Sequence, residues 1–339
     1  MYKDRQTYYR KLEELRNSRL LVYITGDKTG MEAVIAMDVF DLFVWHLDRI
    51  GVVPKISLYL YTKGGITSAA WSLVNLIKMF CDDFEVIVPS KALSAGTLMC
   101  LGADRILMVK QAMLGPIDPS VNNPLNPSAG PETQLVPKVP VSVEDIEGFI
   151  EHAKRSLVKK KDISQIYAIL ANKIHPLVLG NAFRARGQIR MLGERLISTH
   201  INKRETITKI LDFLCSESGS HDYTINRREA KDGLGLPVEI PTEEEYGVIK
   251  VIYDDIIREL ELSTPFNPNL LLGENKNTRY RIIRGLVESS AGGSHAFVSE
   301  GSVDRQKVQT QMGTQEVILP PIPTRDEWTL MHSEEGDHE

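Results

Sequence analysis

Cysteine is scarce in this chain. The three present in 339 residues, Cys81, Cys100 and Cys215, are odd in number and widely spaced, and no CxxC pair occurs. A disulfide framework and a zinc site are therefore not expected, and reduced thiols of a cytoplasmic protein are. Positive charge is not in excess either: 40 Lys and Arg against 45 Asp and Glu leave a net charge of −5. That argues against a nucleic-acid-binding or anionic-membrane surface. The basic run Lys159–Lys161 reads as a solvated helix end. No window approaches the roughly eighteen uninterrupted apolar residues of a membrane span; the stretch around Ile35 to Trp45 is interrupted by Asp38 and Asp41. The opening MYKDRQTYYRKLEELR is charged and lacks the apolar centre of a secretion signal. No G-x-G-x-x-G opens a helix after a strand, and G-x-x-x-x-G-K-[ST] is absent. Neither a cofactor nor a metal is expected.

What the chain does contain is an ordinary globular composition, 42% apolar and 25% charged, enough for a core. Short β-forming runs, LLVYI (Leu20–Ile24), ISLYLY (Ile56–Tyr61), Phe84–Val88 and Arg105–Val109, alternate with helical patterns at Met31–Ile50, Thr67–Cys81 and after Ser94. Such alternation predicts an α/β fold with a parallel sheet, whose functional turns gather at the carboxyl ends of the strands. Gly115 to Pro140, rich in proline, reads as a loop bordering the functional cleft. Helical periodicity then dominates to Cys215. After a further helix, Glu243–Leu262, strands are expected at Tyr280–Val287 and His295–Val298, with a weaker candidate at Val303–Leu319. The expected organisation is residues 1–240 as one α/β domain, 241–330 as a helix and small β-rich extension, and 331–339 as a disordered acidic tail.

Two strand-to-helix turns hold the chemistry. In VPSKALSAGTLMCLGADRI, Ser94 follows a strand and opens a helix, where free N–H groups and the helix dipole favour developing negative charge. The following Ala-Gly leaves room for close approach of a substrate. A plain N-cap serine explains this turn, taken alone, better than a nucleophile does. In YLYTKGGITSAAW, Gly64 and Gly65 allow positive φ and outward-facing amides. Neighbouring parallel strands would set the two turns side by side, with Gly65 and Ala95 as paired donors to an oxyanion.

Taken in order, LVYITGD, LYLYTKGG, SKALSAGTLMCLGADRILM and LGPIDPSVNNPLNP resemble the serine dehydrogenase proteinase family, of the Clp-protease class. The Clp protease proteolytic subunit and signal peptide peptidase A are related. HPLVLGNAFRARGQIRML, GSHDYTINRREAKDGLGLPV and ESSAGGSHAFVSEG extend the resemblance from about Arg16 to about Gly301. It implies a Clp-protease/crotonase-like fold with a parallel sheet of ββα units and a serine endopeptidase acting on polypeptides. Ser94 would be its nucleophile, and Gly65 and Ala95 its oxyanion donors. Gly64, Gly115 and Pro116 would line the substrate site.

The base departs from the pattern. In the Clp subunit a histidine activates the serine and an aspartate orients it; the matching positions here are Gly115, which cannot serve, and Asp222. Signal peptide peptidases use a lysine instead, and Lys154, on VEDIEGFIEHAKRSLV, lies at a comparable place. A Ser–Lys dyad with Lys154 desolvated in a dry cleft is the expected arrangement. His221, beside Asp222, and Lys138 are further candidates. Two other readings compete: a crotonase-type acyl-CoA enzyme, which needs the paired amides but no serine, and a retired protease fold serving as a scaffold. A homo-oligomer is expected, because relatives of this fold close into rings or dimers. No nucleic-acid or membrane partner is expected. Lacking a nucleotide-binding loop, the chain would rely on a separate, unspecified ATPase for any unfolding of substrates.

Overall fold

The computed structural model describes residues 1–117, 120–121, 123–128, 138–156, 163–217, 220, 222–310 and 313–332. The first helix, α1 (Tyr2–Arg16), leads into β1 (Arg19–Thr25), α2 (Phe40–Ile50), β2 (Val53–Tyr61), α3 (Thr67–Lys78) and β3 (Cys81–Val88). The nucleophile region follows as β4 (Lys91–Ala92), α4 (Ala95–Leu101), β5 (Arg105–Met108) and β6 (Met113–Leu114). After the short pair β7 (Ser120–Val121) and β8 (Val141–Ser142) come α5 (Val143–Ser156), α6 (Ile163–Lys173), α7 (Pro176–Ile197) and α8 (Arg204–Asp212). The last third holds β9 (Ile225–Asn226), β10 (Val238–Glu239), α9 (Glu243–Glu259), α10 (Pro268–Leu272), β11 (Asn277–Ser289), β12 (Gly293–Thr310), β13 (Gly313–Ile318) and β14 (Ile322–His332).

Among the described residues the strands form a nine-stranded sheet in the order β10-β5-β3-β2-β1-β11-β12-β13, with β14 also on β12. From β10 to β1 every pairing is parallel; from β1 outward every pairing is antiparallel. The parallel strands are near-continuous apolar runs because both faces are covered: all of β1 except Arg19 is buried. Tyr23 packs edge-on against Phe43 of α2. Its neighbour's residue Tyr59 points the other way and donates its hydroxyl to the Ile249 carbonyl of α9 at 2.9 Å. A second sheet, β4-β6-β9, sits beside the first, so that β3, β4 and α4 form one ββα unit.

One expected helix starts late, and the late strands take definite bounds. The helix expected from Met31 begins only with a 3-10 turn at Met37, because Ile35 is held in extended pairing with Gly65. The weak β candidate Val303–Leu319 is the end of β12 and the whole of β13. Strand β14 runs through His332, two residues into the segment assigned to the tail, while 333–339 lie outside the described residues. The C-terminal strands continue the central sheet.

Buried polar clusters fasten that extension. Arg5, 1% exposed, bonds Glu288 of β11 at 2.7 Å and Asp255 of α9 at 2.6 Å. His46 of α2 meets His295 of β12 through Nε2 and Nδ1 at 3.1 Å, and its Nδ1 lies 2.8 Å from Ser289 Oγ. Burial, then His295 and Arg49, push His46 down to about 3, and burial lowers His295 as well. Arg49, stacked on Trp45, is the charged group facing this pair. Both rings are thus neutral in the folded chain, whereas in the unfolded chain they bind protons around the ordinary value near 6.5. As pH falls below that value the unfolded state takes up more protons, so stability declines towards pH 3, where folded His46 also protonates. Melting between pH 7 and 4 should lose up to about 1.4 kcal/mol per pH unit from His46 alone. The His46→Gln chain, followed by melting temperature, should show a shallower acid slope.

Candidate active site

The carboxyl ends of β1, β2 and β3 bring three turns together. After Tyr61 the backbone continues in register with β4: the Thr62 N–H donates to the Lys91 carbonyl and the Leu93 N–H to the Thr62 carbonyl, both at 3.1 Å. The Gly-Gly turn is thereby stitched to the turn that carries Ser94. On its other side, Ile35 donates to the Gly64 carbonyl and accepts from Ile66, both at 2.8 Å. Gly64 and Gly65 have φ of +116° and +150°. A Cβ on Gly64 would lie 2.8 Å from the Cβ of Ser94, and one on Gly65 would lie 2.9 Å from the Ile35 Cα. Only glycines allow both the backbone angles and the contact.

Ser94 sits at φ 51°, ψ −114°, partly exposed, at the start of α4. This backbone is sparsely populated for a residue with a side chain, and holding it costs about 1–3 kcal/mol. The hydroxyl makes no capping bond to α4, so helix capping does not account for this serine. Among the described residues neither the Gly65 N–H nor the Ala95 N–H donates to a protein acceptor. Two unengaged amides thus lie in the turns that meet at this strained serine, donors of the kind that stabilise a tetrahedral oxyanion. A Cβ on Gly96 would collide with the Thr62 methyl, so this glycine lets α4 pack against the turn that carries Gly64.

Gly115 lies against the same turn. Its N–H donates to Thr97 Oγ1 at 3.0 Å, and that oxygen lies 2.9 Å from the Gly115 carbonyl and 2.8 Å from the Ala92 carbonyl. A Cβ on Gly115 would meet Leu93 at 3.2 Å, so a histidine there would have to displace that side chain. Pro116 is buried next to it. Thr97 and Thr62 went unremarked in the sequence; their signal was a threonine at a fixed offset in SAGT and in YTKGG.

The candidate bases separate. Lys154 is 46% exposed and ion-paired with Glu151 at 2.6 Å. It borders a cavity of about 520 Å³ between α5, α6 and α7, whose lining includes no residue of the Ser94 turn. Among the described residues, Lys154 therefore stands in a half-solvated setting rather than in the dry cleft expected for it. Lys138 is exposed and donates to Ser128 Oγ at 3.1 Å. Asp222 is exposed, and His221 lies outside the described residues, as does much of the Gly115–Pro140 loop. The HDY segment nevertheless leads directly into β9, which pairs Ile225 with Leu114, and β6 in turn pairs Leu114 with Ala92. Three short strands therefore carry the chain before Ser94, before Gly115 and after Asp222 side by side.

A serine on a strained turn between a parallel-sheet strand and a helix, with two free amides beside it, is the layout of a Clp-like α/β protein. Residues 1–175 match the family described as ClpP-like SDH-type serine proteinase, and the chain belongs to that family. It is 29% identical over 216 residues to the uncharacterized protein MJ0137 of Methanocaldococcus jannaschii, covering 63% of this chain and 64% of that one. With the uncharacterized protein MJ1495 of the same organism it shares 38% identity over 78 residues, 22% of this chain and 27% of the relative. The chain thus spans less than two thirds of the length of either. Solved structures that align with it include a serine-to-alanine mutant of the membrane-bound stomatin-specific protease 1510-N, at TM-score 0.39 and 15% identity over 67% of this chain and 83% of that one. Another is an asparagine-to-aspartate mutant of ClpP1 from Listeria monocytogenes, at 0.35 and 14%, over 70% and 99%.

The strain at Ser94 is measurable. Glycine tolerates φ 51° and alanine does not, whereas both remove the hydroxyl. In urea unfolding the Ser94→Gly chain should be more stable than Ser94→Ala by about 1 kcal/mol, after the extra unfolded-state freedom of glycine is allowed for.

Proposed function

We propose that the chain hydrolyses peptide bonds with Ser94 as nucleophile and the Gly65 and Ala95 amides as oxyanion donors. The observation that carries this is the strained, uncapped Ser94 lying against Gly64 with two unengaged amides beside it. Ser94 Oγ attacks the carbonyl carbon of the scissile bond while its proton passes to a base. The carbonyl oxygen becomes an oxyanion held by the two amides, each donor of this kind being worth about 2.7–4 kcal/mol. Collapse of the intermediate expels the amine, which takes up the proton, and water then releases the acyl group from Ser94.

For the base, the β4-β6-β9 ladder supports the His221–Asp222 segment, and the exposure of Lys154 counts against a Ser–Lys dyad in the isolated chain. A homo-oligomer is part of the proposal. Helices α5 to α7 leave Phe149, Tyr167, Leu177 and Phe183 exposed, Phe183 to 74%, more apolar surface than a small helical layer leaves to water. A cytoplasmic location fits three free, buried cysteines. No described helix is long and apolar enough to cross a membrane.

A fluorophosphonate probe should label the chain, and Ser94→Ala should abolish labelling. Silence in the unmodified chain would favour the retired scaffold or the acyl-CoA enzyme. His221→Ala and Asp222→Ala should slow labelling at least about a hundredfold, with Lys154→Ala close to the parent; the reverse pattern restores the dyad. In light scattering the unmodified chain should exceed its 38.1 kDa monomer mass, and Phe183→Glu should lower the mass observed.

A further inference from the structure

One charged cluster beside the nucleophile has no part in the steps above. Asp27, just beyond β1, accepts the Tyr61 hydroxyl at 2.6 Å on one oxygen and Lys91 Nζ at 2.8 Å on the other. Lys63 Nζ stands 3.8 Å from that second oxygen. Burial resists ionisation of Asp27, but the bonds from Lys91 and Tyr61 outweigh it and hold the carboxyl below its usual range. Asp27 is therefore a carboxylate at neutral pH. The three turns of the site each supply a member: Asp27 after β1, Tyr61 and Lys63 around the end of β2, and Lys91 from β4.

The charges do not balance. One carboxylate faces two ammonium groups, and its close bonds are taken by Lys91 and Tyr61. Lys91 is 23% exposed and also lies over the Tyr61 ring at 5.4 Å. Lys63 is 51% exposed and, among the described residues, is left with a single distant ion pair. It is also the residue directly before Gly64, whose backbone touches Ser94 and lies near the Ala95 amide. Beside it along the rim, Ile66 is 50% exposed. A half-solvated, underpaired cation next to the oxyanion donors, with an apolar rim, suits a peptide that carries a carboxylate.

Resting on the assignment of Ser94 as nucleophile, we propose that Lys63 is a specificity-determining residue that recruits substrates with a carboxylate close to the scissile bond. The carboxylate is either an Asp or Glu side chain or a free C-terminus. Lys91 and Asp27 are positioning residues, with Asp27 turning Lys91 away from the substrate and leaving Lys63 the spare charge. Because Lys63 is half exposed, its effect is modest and screened by salt.

The test is protection of Ser94 from labelling by an uncharged fluorophosphonate. Competing peptides of one neutral sequence carry an amidated end, a free C-terminal carboxylate, or an internal glutamate with an amidated end. The readout is the ratio of protecting concentrations within each protein, so changes in the basal labelling rate cancel. At low salt the peptide with the matching carboxylate should protect at a concentration about three- to fivefold below the neutral one, and added salt should shrink the difference. Which of the two carboxylate peptides gains identifies the source. Lys63→Met should bring the ratio to one, and Lys63→Glu should invert it. A preference that survives unchanged in Lys63→Glu, or no preference in the unmodified chain, overturns the inference while leaving the nucleophile standing. Labelling that persists in Ser94→Ala overturns the nucleophile and this inference with it.

Discussion

The site depends on one contact in which two backbone turns meet with no side chain between them. Gly64 must come within touching distance of Ser94, and Ser94 must hold a positive φ to face it. Everything nearby serves that contact. Thr62 stitches the turns from below through Lys91 and Leu93. Ile35 braces the glycines from the far side, which is also why α2 starts late. Thr97 buckles α4 to the segments at Ala92 and Gly115. Strain of this kind persists only where the surroundings over-determine it, and here three strands and a helix do so.

Farther out, ion pairs fix the helical layer on the sheet. Arg16, at the end of α1, bonds Glu85 of β3, Glu239 of β10 and Glu245 of α9, while Arg5 links the same helix to α9 and β11. Buried pairs add little net stability, since desolvation offsets attraction. Their use is geometric: with its guanidinium satisfied in one place only, α1 has one seat. The sheet beneath keeps the register that aligns the three turns.

Much of this was legible in the sequence, and the reasons differ by element. LLVYI and ISLYLY read as buried strands because parallel strands covered on both faces are continuous apolar runs. The paired turns were legible because Gly-Gly after one strand and Ser-Ala-Gly-Thr after the next constrain each other. The neighbour of the Ser94 turn was not: the segment that folds back on β6 is distant in the chain, and β9 contributes only two residues to that ladder, too short to leave a periodic signal. The setting of Lys154 was not legible either: its helix has the pattern of a packed one but buries only Val143 and Ala153. Nor was it legible that the C-terminal strands would join the sheet at β1, since register between distant strands is a property of the assembled core.

That junction has a consequence in time. Strand β1 pairs Leu21 with Ser289 of β11, and Arg5 finds Glu288 across 283 residues of chain. At a synthesis rate of about 5–20 residues per second, the partner of residue 5 emerges roughly 15 to 60 s later. Throughout that interval β1 presents an open strand edge, which invites wrong partners, and α1 lacks a charge its buried arginine needs. The parallel half of the sheet and both turns of the site can assemble before then, but α1 cannot settle. A strand made late thus closes one made early, and until it emerges the β1 edge stays open to its neighbours.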